Sequence, residues 1–538
     1  MTTVARVAVS APCSGHGKTA VAVGLLAAYA ARGLTTAGFK IGPDHADAAY
    51  LGLASGRPGR NIDPRLVGTR RIAPLFAHGA AGADLAVVEG TMGLFDSIGE
   101  HPETDSTAAV CVGLRAPVVL VVDAAAMGHS VAALVHGFRA YDELVQLGGV
   151  ILNRVASDHH ERLLREALDD IGVPVFGALR RQVLSRALPG REHGVVPVAH
   201  RSLEAYRGVR RLGEAIAGAV DLDRILALAR SAPQLPVDRW SASAAAAEGL
   251  YSVAAEGLYS VRSGSSEDRS AGVAGAGGGP PDPPAPDPAA RVPRPVVALA
   301  GGPGTAYSYP ETAELLVAAG AEVRVLDPLR DEALPAGTAA LVVGGGLPES
   351  YAEELSANQR LCAAVADFAR AGHPVLAEGT GALWLAREFD GRPMCGVLDA
   401  TGVGTGHVVI GYREATAQAP SVVAQPGDRL FGYKQHAAVL LPRAGQTPAW
   451  RWPGGPPEGF VWGGVHASQL ILHWAGVPGI ARRLVAAAFR HVDRPDVLPT
   501  GPGSGAALPP LPAASAAPVS PAAPVSALPL DSPGRVMA

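Results

Sequence analysis

The sequence predicts an α/β protein of two parallel-sheet domains, and three observations carry that prediction. Short apolar runs alternate with Ala/Leu/Arg-rich helical stretches from Val7 to about Leu228, and a second such pattern runs from Val296 to about Val492. Near-continuous apolar strands between helices read as parallel strands covered on both faces. A stretch rich in Gly, Pro and Ala separates the two patterns, and 538 residues are too many for one core.

The first element is VAVSAPCSGHGKTAVAVGLL, Val7 to Leu26. Val7–Val9 reads as a buried strand, Ser10–Gly17 as a small Gly-rich turn, and Lys18-Thr19 as the opening of an apolar helix. Strand, turn and helix start together place backbone N–H groups and the positive helix end around an anion. Pro12 stands where the first glycine of the usual loop falls, so the match is to a variant, S-G-x-G-K-T. A flexible loop with a chance GKT is the bland alternative. Lysine usage argues against it, because the chain has only Lys18, Lys40 and Lys434 and otherwise uses Arg. Lys is kept where a compact ammonium faces phosphate. Ser14, Gly15, Gly17, Lys18 and Thr19 are read as nucleotide-binding.

Further strands are expected at Thr36–Lys40, Leu85–Glu89, Pro117–Val122, Gly149–Leu152 and Val173–Ala178. Ligands of such sheets gather at the carboxyl ends of the strands. There the sequence places Lys40, Asp44 and Asp47, then Glu89 and Asp96, then Asp123 and Asn153. Singly, each acid is more often a solvated loop residue; their convergence beside a GKT loop favours an active site.

Past residue 233 the octapeptide AAEGLYSV occurs twice, at Ala246–Val253 and Ala254–Val261. It reads as a slipped duplication within a disordered linker, residues 234–295. The second pattern has strands at Val296–Ala300, Glu322–Val325, Ala340–Val343 and Pro374–Ala377. Residues 493–538 are Pro/Ala/Ser-rich, bury too little apolar surface and are expected to be disordered. The domains are therefore expected at 1–233 and 296–492.

A net charge of -4 gives no basic surplus for nucleic acid, and no run of about 20 uncharged apolar residues indicates a membrane span. The N-terminal apolar run leads straight into the phosphate loop rather than resembling a signal peptide. Cysteines 13, 111, 362 and 395 show neither paired spacing nor a metal pattern. A soluble, cytoplasmic protein is expected.

Taken in order, SAPCSGHGKT, FKIGPDHADAAYL, GRPGRNIDP, VVEGTMGLFDS, APVVLVVDA and GGVILNRV closely resemble the cobyrinate a,c-diamide synthase family, which includes the hydrogenobyrinate enzymes of cobalamin biosynthesis. The second half matches through YPETAELLVAAGAEV, PLRDEALP, GGGLPESYAEELSAN and IGYREA. The resemblance covers roughly residues 4–230 and 296–490. It implies a dethiobiotin-synthetase-like P-loop domain joined to a class I glutamine-amidotransferase-like, flavodoxin-like domain. It further implies ATP- and Mg²⁺-dependent amidation of two corrinoid side-chain carboxylates through acyl phosphates; the sequence does not fix the oligomeric state, and a homodimer is left open. By that resemblance Lys18 meets the phosphates and Thr19, Asp47 and Glu89 the metal. Lys40 contacts the transferring phosphoryl, Asp44 and Asp47 position the carboxylate, Asp96 handles the intermediate and Asn153 the adenine.

Two departures fall on the glutaminase chemistry. Where the family elbow reads P-x-Y-A-E-C-G-G-L, this chain reads Pro374-Val375-Leu376-Ala377-Glu378-Gly379-Thr380-Gly381-Ala382, so Gly379 holds the nucleophile's place. Where the family carries A-S-Y-L-H-x-H, the run is Ala467 to His473 and Ile471 replaces the expected base. Nucleophile and base act as a unit, so glutaminase activity is expected to be absent and nitrogen to arrive as free or delivered ammonia. Thr380 is a poor substitute because it lacks a base. In the first half, an aromatic at His45 and a His at Leu51 are lost. Two other readings remain open: a non-catalytic or regulatory ATP-binding paralogue, and a partitioning-type ATPase, which lacks its usual second Lys at Ala11-Pro12-Cys13.

Overall fold

The computed structural model describes residues 2–98, 101–181, 202–248, 294–302, 305, 308–346 and 350–492. Seven strands build the first sheet: Ala5–Ser10 (β1), Thr36–Ile41 (β2), Arg60–Ile62 (β3), Leu85–Glu89 (β4), Val118–Asp123 (β5), Leu147–Val155 (β6) and Val175–Arg180 (β7). Their order is β3-β2-β4-β1-β5-β6-β7, and every pairing is parallel. Alternate side chains of β1 serve opposite faces, as a period of two requires. Val7 and Val9 pack with Val21, Leu25, Leu212 and Ile216 of the helices Lys18–Ala31 and Ser202–Ala219, whereas Ala8 joins the core of the opposite face. With β1 central, chain order reverses beside it, which opens a crevice at its carboxyl end. The strand β3 was not expected, because Arg-Asn-Ile carries no apolar run.

The second half holds Val296–Ala300 (β8), Glu322–Leu326 (β9), Thr338–Val343 (β10), Val375–Glu378 (β11), Glu388–Phe389 (β12), Arg392–Pro393 (β13), Thr401–Ala417 (β14), Arg429–Leu441 (β15), Trp450–Arg451 (β16), Phe460–Trp462 (β17) and Val465–Ser468 (β18). One sheet runs β17-β18-β11-β10-β8-β9; a second runs β13-β12-β14-β15, with β16 on β14. The second sheet was also not expected. Gly402, Gly404, Gly406 and Gly411 interrupt the strand pattern of β14, and its long antiparallel register with β15 supplies the order instead.

A single apolar cluster runs through both halves, bringing Ile62, Leu66 and Val67 together with Tyr309, Leu315, Trp474 and Ala475. Met1–Asp493 accordingly groups as one unit. Residues 234–248, placed in a disordered linker by composition, are ordered. Leu235 exchanges backbone hydrogen bonds with Thr2 at 3.0 Å each way, and Trp240 is buried with its ring edge-on to His78. The helix Ala242–Glu248 buries Ala245 and Ala246 and lies against the helices Pro310–Ala318 and Gly479–Val492. Alanine is small enough for close helix contact, a role that composition alone reads as low complexity. Linker residues 249–293, with most of the tandem octapeptide, and the tail 493–538 lie outside the described residues. Among the described residues no helix is long and apolar enough to cross a membrane.

Candidate active site

Gly17 caps the helix Lys18–Ala31 at φ 97°, a left-handed conformation that glycine adopts without steric cost. The first turn of that helix carries no acid, so the Lys18 ammonium and the positive helix end face the same loop. Lys18 Nζ curls back to donate to the Cys13 carbonyl at 3.1 Å. Burial, and then Lys40, lower its pKa to about 8. An anion in the loop relieves both conflicts. Ser14 and Gly15 stand exposed on the loop.

Lys40 and Glu89 are register neighbours on β2 and β4. Lys40 Nζ lies 2.9 Å from Glu89 Oε1, 2.9 Å from Asp47 Oδ2 and 3.0 Å from the Gly90 carbonyl. Burial opposes the Lys40 charge, but Asp47 and Glu89 outweigh it and raise the pKa. Thr19 Oγ1 donates to Glu89 Oε1 at 2.5 Å. Burial first, and Asp47 second, hold the Glu89 carboxyl above the ordinary range despite Lys40 and Thr19. Asp44 accepts from the Asp47 N–H at 2.9 Å and so starts the helix His45–Ser55, whose first turn delivers Asp47 to Lys40. The fold thus brings Lys18, Thr19, Lys40, Asp47 and Glu89 together, with Asp44 one step behind.

The other expected residues lie around this cluster. Asp96 is exposed and accepts from the Gly93 N–H at 2.9 Å, on a loop tied to the phosphate loop by Leu94 N–H to Ala11 carbonyl, also 2.9 Å. Asn153 is buried, and its Nδ2 donates to the His16 carbonyl at 2.9 Å. Among the described residues no three His, Cys, Asp or Glu side chains form a metal cluster. Glu89 Oε2, however, is buried without a hydrogen-bond partner, and Glu89 Oε1 meets the Thr19 hydroxyl. That donor set fits Mg²⁺, which is commonly bound through one or two carboxylates together with substrate phosphates.

Several residues of the site carried no assigned role in the sequence. His16 Nδ1 accepts from the Asp123 N–H at 2.8 Å, joining the loop to β5. Asn61 Nδ2 donates to the carbonyls of Gly42 and Asp44 at 2.8 and 2.9 Å. Asp63 accepts from Tyr412 Oη at 2.6 Å. Asn61 and Asp63 lie within GRPGRNIDP, so the motif marked them without revealing their use. Tyr309 and Tyr412 come from the second half, where YPETAELLVAAGAEV and IGYREA contain them without revealing that they reach the first half. The Tyr309 ring lies 4.2 Å from His45 and 4.0 Å from His473, centroid to centroid. Leu51, where the resemblance loses a His, is fully buried in the core.

In the second half, Gly379 follows β11 and precedes the helix Gly381–Trp384, with φ 59°. A Cβ there would stand 2.8 Å from Ile471 Cγ1. Residues 7–195 match a family model described as the CobQ/CobB/MinD/ParA nucleotide binding domain, and residues 306–470 match a CobB/CobQ-like glutamine amidotransferase domain. The hydrogenobyrinate a,c-diamide synthase of Streptomyces coelicolor is 49% identical over 90% of this chain and 97% of its own length. That of Thermobifida fusca is 43% identical over 90% and 96%. The cobyrinate a,c-diamide synthase of Syntrophotalea carbinolica is 35% identical over 89% and 98%.

The chain belongs to the a,c-diamide synthase family. It is a member whose amidotransferase-like half presents no side chain at position 379. The Ile471 main chain is locked by paired hydrogen bonds to Tyr433, at 2.8 and 2.9 Å. Thr380 Oγ1 accepts from the Gly346 N–H and donates to its carbonyl, both at 2.8 Å, so its hydroxyl is engaged by the main chain. Cys362 and Cys395 are buried in the core of this half.

Proposed function

We propose that the chain is an ATP-dependent amide ligase that converts the a and c carboxylates of hydrogenobyrinate or cobyrinate into amides, using free or delivered ammonia. The substrate carboxylate attacks the γ-phosphorus and ADP leaves; ammonia then attacks the acyl carbon of the acyl phosphate, inorganic phosphate leaves and a proton is lost. Lys18 neutralises the β- and γ-phosphate oxygens. Lys40, braced between Asp47 and Glu89, presents its charge to the phosphoryl group in flight. Thr19 and Glu89, with Asp47, would hold Mg²⁺, which supplies positive charge along the phosphates. Asp44 positions Asp47, Asp96 stands beside the intermediate, and Asn153 flanks the adenine.

The observation that carries the ligase reading is the Lys40–Glu89 contact of 2.9 Å at the head of the GKT loop, with Glu89 Oε2 left unpartnered. The nitrogen source rests on Gly379, which offers no nucleophile, and on Ile471, which offers no base. The test incubates the full chain with ATP, Mg²⁺, ammonium and hydrogenobyrinate, following ADP and the substrate mass. Two amides formed with stoichiometric ADP are expected. Nucleotide binding without any amide product would favour a binding paralogue.

A further inference from the structure

The site described above activates one carboxylate at a time, yet the proposed acceptor is a polycarboxylate that must also be held in register. Immediately past Lys40 and Glu89, the ends of β2 and β4 open into a recess. Gly42, Thr91, Asp63, Arg65, Asp105 and Tyr412 are among its lining residues. Among the described residues of that lining, Arg65 is the only cation. Its ion pair with Asp105 is a loose contact of 3.4 Å, and the two side chains keep 22% and 12% of their exposure. Bidentate carboxylate pairing by arginine is shorter and two-pronged, so the guanidinium retains donors for another anion.

Its position is nevertheless fixed. The guanidinium lies over the Tyr412 ring, 5.0 Å from its centroid. The Tyr412 hydroxyl donates to Asp63 Oδ2 at 2.6 Å, while Asp63 Oδ1 accepts the N–H groups of Arg65 and Leu66 at 2.9 and 3.0 Å. Asp63 therefore clamps the Arg65 backbone and, through Tyr412, the surface beneath its side chain. Both Asp63 oxygens are taken by these donors, so the carboxyl is committed to holding Arg65 and Tyr412 in place.

We propose that this recess is a seat for a second carboxylate of the acceptor, bound by the Arg65 guanidinium in place of Asp105 and steadied by Tyr412 from the other half of the chain. The inference rests on the proposed ligase reading and extends it to how the acceptor is held. Arg65 is then a specificity residue, Tyr412 a positioning residue and Asp105 a competing anion that keeps the seat closed until an acceptor arrives. It also gives the amidotransferase-like half a part in synthesis that needs neither a nucleophile nor a base at 379 and 471.

Calorimetric titration of the full chain with hydrogenobyrinate, and separately with ATP, tests the seat. Arg65→Gln is expected to weaken hydrogenobyrinate binding by about tenfold or more, the scale of a charged hydrogen bond. Arg65→Lys should recover part of the loss, and Tyr412→Leu should fall between Arg65→Gln and wild type. Asp105→Asn is expected to tighten binding, the opposite sign, because it removes the competitor. ATP affinity should stay at the wild-type value in all four, which also marks folded protein. No hydrogenobyrinate binding by wild type, an Arg65→Gln affinity within twofold of wild type, or an Asp105→Asn loss as large as that of Arg65→Gln overturns the seat. Binding that follows the expected pattern without any amidation supports the seat and removes the proposed reaction instead.

Discussion

Gly379 and Ile471 touch across the elbow: a Cβ built on Gly379 would lie 2.8 Å from Ile471 Cγ1 and 3.0 Å from its Cδ1. Positions 379 and 471, 92 residues apart, thus meet, and they are the two positions where the family resemblance expects a nucleophile and its base. Gly379→Cys alone should release no glutamate from glutamine, because the thiol would face a hydrocarbon. It should also lose about 1–3 kcal/mol of stability in chemical denaturation, from the left-handed backbone and the crowding. Glutamate release by that single variant would contradict the assignment of Ile471.

Lys18 sets a pH limit on nucleotide binding. Burial and Lys40 lower its pKa to about 8, so it is protonated below that value and neutral above it. Affinity for ATP without Mg²⁺ should hold below pH 8 and then weaken by up to about tenfold per pH unit. Fluorescent-nucleotide titrations between pH 6.5 and 9.5, values near the Lys18 pKa, would reveal the bend. Lys18→Ala should bind weakly and show none of it.

Glu378 makes a stability prediction of the opposite kind. Burial raises its pKa from 4.5 to about 8, while Trp474 donates to Oε1 at 3.3 Å. Unfolding therefore releases a proton between those values, and stability falls as pH rises through that window. Glu378→Gln should remove the slope, worth about 1.4 kcal/mol per pH unit at most. The variant should match wild type near pH 5 and exceed it near pH 8, close to the folded pKa; parallel denaturation midpoints across this range would refute the buried neutral carboxyl.

Much of the first sheet was legible because its parallel strands are apolar on both faces. Leu85–Glu89 and Val296–Ala300 were placed to the residue, and the other expected strands shifted by a few residues at their ends. What escaped was set by contacts rather than by composition. β3 is a strand because β2 pairs with it, and β14 survives its glycines because β15 lies alongside. The residues facing the GKT loop were readable as polar groups at strand ends, since topology alone converges them. Tyr309 on His45 and Tyr412 on Asp63 were not, since no local pattern joins positions 264 and 349 apart in the chain.

Docking of the two halves centres on Arg60. It donates to Glu311 at 2.6 Å and also pairs with Glu314, which takes His78 Nε2 at 3.0 Å. Glu311 is almost fully buried, so Glu311→Ala removes one of the two carboxylates that hold the Arg60 guanidinium and should cost about 1–3 kcal/mol. Removal of everything past about residue 290 should cost more and uncouple ATP hydrolysis from amidation. Thermal and denaturant midpoints check both; an unchanged midpoint in the truncated chain would make the second half dispensable.

The nitrogen source tests the account most directly. The full chain would be supplied with ATP, Mg²⁺, hydrogenobyrinate and either ¹⁵N-ammonium or amide-¹⁵N glutamine, and the amide products read by mass spectrometry. Label should enter both amides from ammonium and none from glutamine, with glutamate absent from the mixture. Label arriving from glutamine would mean that the elbow at Gly379 still works and that the ammonia-dependent reading is wrong.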